Sequence, residues 1–170
     1  MAKIIAIANQ KGGVGKTTTA VNLSACLAVK NKKVLVIDID PQGNTTSGFG
    51  VDKNSVKNSI YDVIINEIPI QDTLIETMIK KLHLSPSNIN LAGAEVELVS
   101  VISRETRLKY ALEDIKDNYD FIIIDCPPSL GLLTINALTA ANTLLVPIQC
   151  EYYALEGLSQ LMNTVKMIQK

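Results

Sequence analysis

The stretch Asn9–Ser24, NQKGGVGKTTTAVNLS, constrains the fold of this chain more than any other. Before it, Lys3–Ala8 (KIIAIA) is a short apolar run rich in β-branched residues, of the kind that forms a strand buried on both faces of a parallel sheet. After it, Thr17–Lys30 (TTTAVNLSACLAVK) predicts a helix, with Val21, Leu23, Leu27 and the small residues Ala20, Ala25 and Ala28 as its packing stripe. A glycine-rich loop between a strand and a helix turns successive N–H groups inward. The helix N-terminus adds its own donors and the positive end of its dipole. Phosphate is the natural guest of such a loop. On this reading the segment Lys11, Gly12, Gly13, Val14, Gly15, Lys16, Thr17 and Thr18 cradles a nucleotide. The Lys16 ammonium falls on the β and γ phosphates, the Thr17 hydroxyl ligates Mg²⁺, and Thr18 reaches the α phosphate.

Two further strand ends carry acids. Lys33–Ile37 (KVLVI) predicts a second buried strand, which runs into DIDPQGNTT, Asp38–Thr46. In an open α/β sheet, ligands sit at the carboxyl ends of the strands, so Asp38 and Asp40 are expected to face the phosphates. Asp40 then orients an attacking water and accepts its proton, while Asp38 holds a Mg²⁺-bound water. Alone, Asp-x-Asp-Pro is more often a plain turn after a strand; the phosphate loop shifts the balance to chemistry. Tyr119–Asp125 (YDFIIID) is a third buried strand ending in an acid, the arrangement of a Walker B motif, with Asp125 binding Mg²⁺ through water. Pro127 and Pro128 fix the turn that follows, and Gly131 is expected to free the backbone to approach the γ phosphate.

Elsewhere the patterns predict a strand over Asn142–Ile148, helices over Ser59–Glu67, Ile70–Lys81, Ala92–Val101 and Glu105–Lys116, and a short edge strand over Leu82–Leu84. Met162, Met167 and the leucines at 155, 158 and 161 read as one helical packing stripe, and the single histidine, His83, as a structural residue. Strand and helix alternate over most of the chain. The expected fold is therefore a doubly wound, mostly parallel α/β sheet forming a single P-loop NTPase domain over residues 1–170, its phosphate-loop and Walker B strands parallel neighbours.

Composition narrows the classes. No apolar run approaches the roughly 20 residues that span a bilayer, and no signal-peptide pattern opens the chain. Cys26, Cys126 and Cys150 are odd in number and widely spaced, which fits a reducing compartment better than a disulfide framework or a metal site. Sixteen basic and seventeen acidic residues give a net charge of −1. Lys32 with Lys33, Lys80 with Lys81, and Arg104, Arg107 and Lys109 stand beside acids or on separate elements, so no clustered basic face is expected here.

The order Lys-Gly-Gly-Val-Gly-Lys-Thr has Gln10 where the standard phosphate loop has its first glycine, and it pairs Gly12 and Gly13 directly after Lys11. It resembles the deviant phosphate loop of the ParA/MinD group of P-loop ATPases. Asp38–Gly43 and Asp125–Leu138 (DCPPSLGLLTINAL) similarly resemble the two switch regions of ParA/Soj-type partition ATPases. The resemblance covers nearly all 170 residues. It implies ATP with Mg²⁺, hydrolysis in which Asp40 is the hydrolytic acid, and a Lys11 that crosses a homodimer interface to the partner subunit's nucleotide. It also implies an ATP dimer that binds DNA without sequence preference, and a ParB-type partner that stimulates hydrolysis and release during chromosome or plasmid segregation. A cytoplasmic, nucleoid-associated protein is implied, with no membrane partner. Members of the family continue well past this length, so the chain is expected to be truncated at its C-terminus, with the DNA contacts beyond Lys170. Glu151 is either a dimer-face acid near the partner's nucleotide or a solvated loop acid. A MinD-like membrane-cycling ATPase would need a C-terminal amphipathic helix, which residues 1–170 do not show. A metabolic enzyme on the same scaffold, such as a nitrogenase iron protein, would need cysteines in glycine-rich surroundings beyond Asp125, and only Cys126 abuts it.

Overall fold

The computed structural model describes residues 2–150 and 154–168. Six strands form one sheet: β1 Lys3–Ile7, β2 Val34–Asp38, β3 Ile75–Glu76, β4 Leu82–Ser85, β5 Phe121–Asp125 and β6 Thr143–Leu145. Their order is β3-β4-β2-β5-β1-β6, and every pair is parallel except β3 with β4. Side chains alternate across the pleat, so Ile4 and Ala6 enter one core while Ile5 and Ile7 enter the other. Helix α1 (Lys16–Val29) covers one face, beside Phe49 at the end of the short helix α2 (Asn44–Gly48). The opposite core takes apolar residues from α3 (Ile60–Ile65), α4 (Leu91–Glu97), α5 (Arg107–Glu113), α6 (Leu132–Ala140) and α7 (Ala154–Ile168). Both faces are covered, which is why the central strands read as unbroken apolar runs.

The phosphate-loop strand β1 and the Walker B strand β5 are parallel neighbours, and β2 flanks β5 on its other side. Asp125 stands in register with Ile7 on one side and Asp38 on the other. All three loops of interest therefore leave the sheet at the same end, side by side.

Several elements differ from the sequence expectation. The helix predicted over Ile70–Lys81 is a 3-10 turn, Ile70–Thr73, followed by β3. The free edge of β4 captures Ile75 and Glu76 as an antiparallel partner, and the Thr77 hydroxyl donates to Leu82 O across the tight turn. Tertiary pairing outweighed local helix propensity there. For the same reason β4 is not the edge strand; β3 is. The α1 stripe that faces the sheet is Lys16, Ala20, Ser24 and Ala28, spaced by four, while Val21, Leu23 and Leu27 pack at its margins. Small residues let this helix lie close to the strands. Ser24 costs little there, because its hydroxyl donates to Ala20 O at 2.6 Å. On α7, Leu161 is buried and Val165 and Ile168 pack against the same core, whereas Met162 and Met167 are exposed. The expected methionines are thus off the stripe, and the Leu155 side chain lies outside the described residues.

The lysine pairs, expected on separate elements, meet. β2 and β4 are adjacent and parallel, so the connections that lead into them, holding Lys30, Lys32 and Lys33 and Lys80 and Lys81, lie side by side. Lys81 Nζ donates to Asn31 Oδ1 at 2.7 Å, and Val34 N–H to Lys81 O at 2.9 Å. This basic corner is at the end of the sheet away from Asp38 and Asp125.

Candidate functional site

The loop between β1 and α1 takes its shape from two glycines in the left-handed region, Gly13 (φ +74°) and Gly15 (φ +92°). Side chains other than glycine rarely adopt this conformation. A Cβ added at Gly12, Gly13 or Gly15 would meet no heavy atom within 4 Å, so the loop encloses open space. No side chain caps the start of α1, and no acid occupies its first turn. The helix offers its first N–H groups and positive dipole end to a guest from outside the chain.

Around this loop lies a cleft of about 330 Å³ lined by Gly12, Gly13, Gly15, Lys16, Thr17, Thr18, Asp40, Gln42, Asn44 and Pro128. A larger groove of about 690 Å³ between α3 and α5 is crossed by the Arg107–Glu67 ion pair. In that groove the cation, Arg107, is already paired with Glu67, and no glycine-rich loop lines it. The smaller cleft sets a glycine-rich loop beside Lys16 and Asp40.

Lys16 is 7% exposed, and its Nζ donates to Lys11 O at 3.1 Å. Burial lowers its pKa, while the charges of Asp125 and Asp40 oppose that shift. The fields of two acids thus act on the cation, while its hydrogen bond goes to the loop. Lys11 is half-buried, and its N–H donates to Asn9 Oδ1 at 3.0 Å. Asn9 also donates to Pro147 O at 2.8 Å, and Gln149 to Gly13 O at 3.1 Å, so the segment after β6 braces the loop.

Asp125, at the end of β5, is 1% exposed. Its Oδ2 accepts two hydroxyls, Thr17 at 2.8 Å and Thr45 at 2.7 Å, and its Oδ1 is buried without any hydrogen bond. Burial raises its pKa against the opposing pull of those hydroxyls. An orphaned carboxylate oxygen beside the Thr17 hydroxyl is unfavourable unless a cation completes it. Thr17 and Asp125 therefore fit a Mg²⁺ ion. Among the described residues no group of three or more His, Cys, Asp or Glu could hold a metal by itself. That is the pattern of an ion bound by one or two protein groups together with substrate phosphates.

Asp40 lines the cleft and is 7% exposed. Its N–H donates to Asp38 Oδ1 at 3.2 Å, its carbonyl accepts from Gly43 N–H at 2.9 Å and Ser87 Oγ at 2.7 Å, and its Oδ1 accepts from Gln42 N–H at 2.9 Å. Its Oδ2 has no hydrogen-bond partner among the described residues. One carboxylate oxygen is anchored and the other is available for a water.

Asp38 is placed differently from the sequence expectation. It is fully buried, outside the cleft lining, and its Oδ2 accepts both the N–H and the hydroxyl of Thr46, each at 2.7 Å. Burial pushes its pKa up to about 7. Its contact with the cleft runs through Asp40. Gly131 has a φ of −76°, which is open to any residue, so the special backbone freedom expected of it is not used here. Cys126 is buried, and burial pushes its thiol pKa up, so it is inert beside Asp125. His83 Nδ1 pairs with the Tyr119 hydroxyl at 2.7 Å, the structural role expected of it. Glu151 lies outside the described residues. Sequence reasoning missed Thr45, Thr46 and Ser87. The run of threonines after DIDPQGN was the available signal for the first two; Ser87 arrives from a distant strand and had none.

The chain matches the family described as AAA domain over residues 2–170. It is 63% identical, over all 170 of its residues and 67% of the relative, to the sporulation initiation inhibitor protein Soj of Bacillus subtilis. It is 54% identical to the chromosome partitioning protein ParA of Myxococcus xanthus, over 99% of this chain and 59% of that one. The chain thus spans about six- to seven-tenths of these relatives' length. Among solved structures, cobyrinic acid a,c-diamide synthase from Mycobacterium smegmatis, with bound ADP and magnesium, superposes with a TM-score of 0.95 at 43% identity, covering 99% of this chain and 69% of that one.

Proposed function

The chain belongs to the ParA/Soj family of P-loop ATPases, and from that premise we propose that it binds and hydrolyses ATP as the switching step of chromosome or plasmid partition. One observation carries this reading: Lys16, Thr17 and Asp40 line one cleft at the ends of three neighbouring strands, and Asp125, directly behind the Thr17 hydroxyl, keeps an unpaired buried oxygen. Thr17 and Asp125 would hold Mg²⁺, which neutralises charge on the phosphates when bound. The ADP and magnesium of the Mycobacterium smegmatis neighbour support that assignment.

The chain's own groups then divide the work. Backbone N–H groups of Gly13–Thr18 and the α1 dipole bind the phosphates. Lys16 exchanges its contact with Lys11 O for the β and γ oxygens. Asp40 uses its unpaired oxygen to orient a water and accept its proton. Lys11 acts in trans, its charge stabilising the transferring phosphoryl group of the partner subunit in an ATP homodimer, as an arginine finger does elsewhere. The dimer binds DNA without sequence preference through residues beyond Lys170, and a ParB-type protein stimulates hydrolysis and release.

The test uses the complete protein with ATP and Mg²⁺. Asp40→Ala should lower turnover at least about a hundredfold and accumulate the ATP dimer, whereas Lys11→Ala should keep monomeric ATP binding and lose both dimer and turnover. Hydrolysis persisting in Asp40→Ala would move the water-positioning role elsewhere. Parental dimerisation and turnover in Lys11→Ala would reduce that lysine to a surface charge. A second reading, a biosynthetic enzyme on this scaffold, draws on the 43% identity to the diamide synthase. The 63% identity to Soj favours partition. ATP turnover that responds to duplex DNA and not to a carboxylic acid acceptor would separate them.

A further inference from the structure

The segment Ser85-Pro86-Ser87, at the carboxyl end of β4, is tied by successive residues to three other parts of the chain. The Ser85 and Thr73 hydroxyls share a hydrogen bond at 2.7 Å, Pro86 O accepts Ile60 N–H at 2.8 Å, and Ser87 reaches the nucleotide side. Ser87 is fully buried and makes two contacts there. Its Oγ donates to Asp40 O at 2.7 Å, and its N–H donates to Thr46 Oγ1 at 3.0 Å. Thr46 in turn donates that hydroxyl proton to Asp38 Oδ2 at 2.7 Å. Asp38 Oδ1 accepts the Asp40 N–H at 3.2 Å, which closes a ring. The main chain of Asp40 is therefore clamped on both sides, its N–H by Asp38 at the end of β2 and its carbonyl by Ser87 from the segment after β4, neither of which lines the cleft.

We propose that Ser87 is a positioning residue for hydrolysis, holding the Asp40 main chain so that the free carboxylate oxygen keeps its aim into the cleft. Without the Ser87 hydroxyl, the Asp40 carbonyl accepts only the Gly43 N–H. The Asp40 carbonyl then has no tie to the segment after β4; the turn keeps the Asp40 N–H contact with Asp38 and the exposed Lys53 contact with Gln42 O, and its carbonyl side gains freedom to pivot. General-base catalysis depends on hydrogen-bond reach to the water, so a pivot lowers turnover while leaving the phosphate loop untouched. Ser87 does not line the cleft, so nucleotide binding should not sense its loss. This inference rests on the proposal that Asp40 orients the water.

The experiment compares Ser87→Ala, Ser87→Thr and Asp40→Ala with the parent, all in the complete protein with ATP and Mg²⁺. Turnover, KM for ATP and the ATP-dependent dimer are measured together, with a thermal melt of each variant. Ser87→Ala should lose about tenfold in kcat, a loss typical of one displaced contact, keep KM within about twofold, and accumulate the ATP dimer as Asp40→Ala does. Ser87→Thr, which keeps the hydroxyl, should recover most of the lost turnover. A Ser87→Ala protein that melts like the parent with unchanged kcat overturns the proposal, and so does one whose loss appears in KM or as a failure to dimerise. If Asp40→Ala itself keeps its turnover, the reading of Asp40 has failed first. If Asp40→Ala is inactive and Ser87→Ala is not, only the role of Ser87 has failed. Should Ser87→Thr prove too large for its buried site and melt early, Ser87→Cys, close to serine in size and a weaker donor, should fall between alanine and the parent; equality with alanine counts against the proposal.

Discussion

Lys16 has little to do in the protein alone except neutralise acids, and its one hydrogen bond goes to a loop carbonyl. A buried cation at a helix N-terminus opposes the helix dipole, so the arrangement becomes favourable only when an anion arrives. Lys16→Ala should therefore abolish measurable ATP binding by calorimetry. Retained affinity would remove the phosphate-loop assignment. Asp38 gives a second prediction with a definite sign. Burial raises its folded pKa from 3.8 to about 7, so the native state holds a proton that the unfolded chain has released. Its contribution to stability is full below the unfolded value and is lost as pH rises through about 7. Asp38→Asn cannot lose that proton. In protein free of metal and nucleotide, the melting temperature of Asp38→Asn relative to the parent should climb between pH 4 and 7 and level off above, whatever the constant offset. A difference that stays flat with pH would show that Asp38 is ionised throughout.

At the scale of elements, α2 is too short to be stable alone, with five residues and no capping side chain. Two side chains in its first turn hold it. Thr45 donates to Asp125 of β5 and Thr46 to Asp38 of β2, so the helix is fastened to the two acids beside the phosphate loop. Thr17 and Thr45 share Asp125 Oδ2, so the phosphate loop and α2 are fastened to the same carboxylate oxygen. Thr46→Val keeps the shape of the side chain but leaves the Ser87 N–H and one Asp38 contact unmade. It should cost about 2 kcal/mol in urea unfolding, the usual penalty for a buried donor left unpaired. A cost near zero would mean that water replaces the hydroxyl.

For the molecule as a whole, the question is where DNA would bind. Attraction to duplex DNA comes from lysines and arginines that displace counterions from phosphates, so it needs a cluster. The lysines leading into β2 and β4 form one, but five lysines on a chain of net charge −1 displace few ions, and they sit away from the nucleotide. The chain of residues 1–170 should bind duplex DNA no better than a neutral control at moderate salt. The complete protein should bind it with ATP and release it steeply as salt rises. Retention of residues 1–170 that disappears in Lys80→Glu with Lys81→Glu would instead place the DNA face on that corner.

Much of this site was legible in the sequence, because each of its segments directly ends or follows a buried strand. The loop Lys11–Thr18 and the acids Asp38, Asp40 and Asp125 each end or follow a buried strand, and the strand-then-acid pattern fixes their common end of the sheet. The doubly wound class followed from the same alternation. What the sequence could not carry was anything set by contact between distant segments. The 3-10 turn and β3 at 70–76 depend on the free edge of β4, the meeting of the lysine pairs depends on β2 lying beside β4, and the burial of Asp38 depends on Thr46 folding back over it. Ser87 is 47 residues from Asp40 and belongs to no motif around it. Local patterns report backbone geometry and which face is apolar. The direction and partner of a buried hydrogen bond are decided only when strands from different parts of the chain are brought side by side.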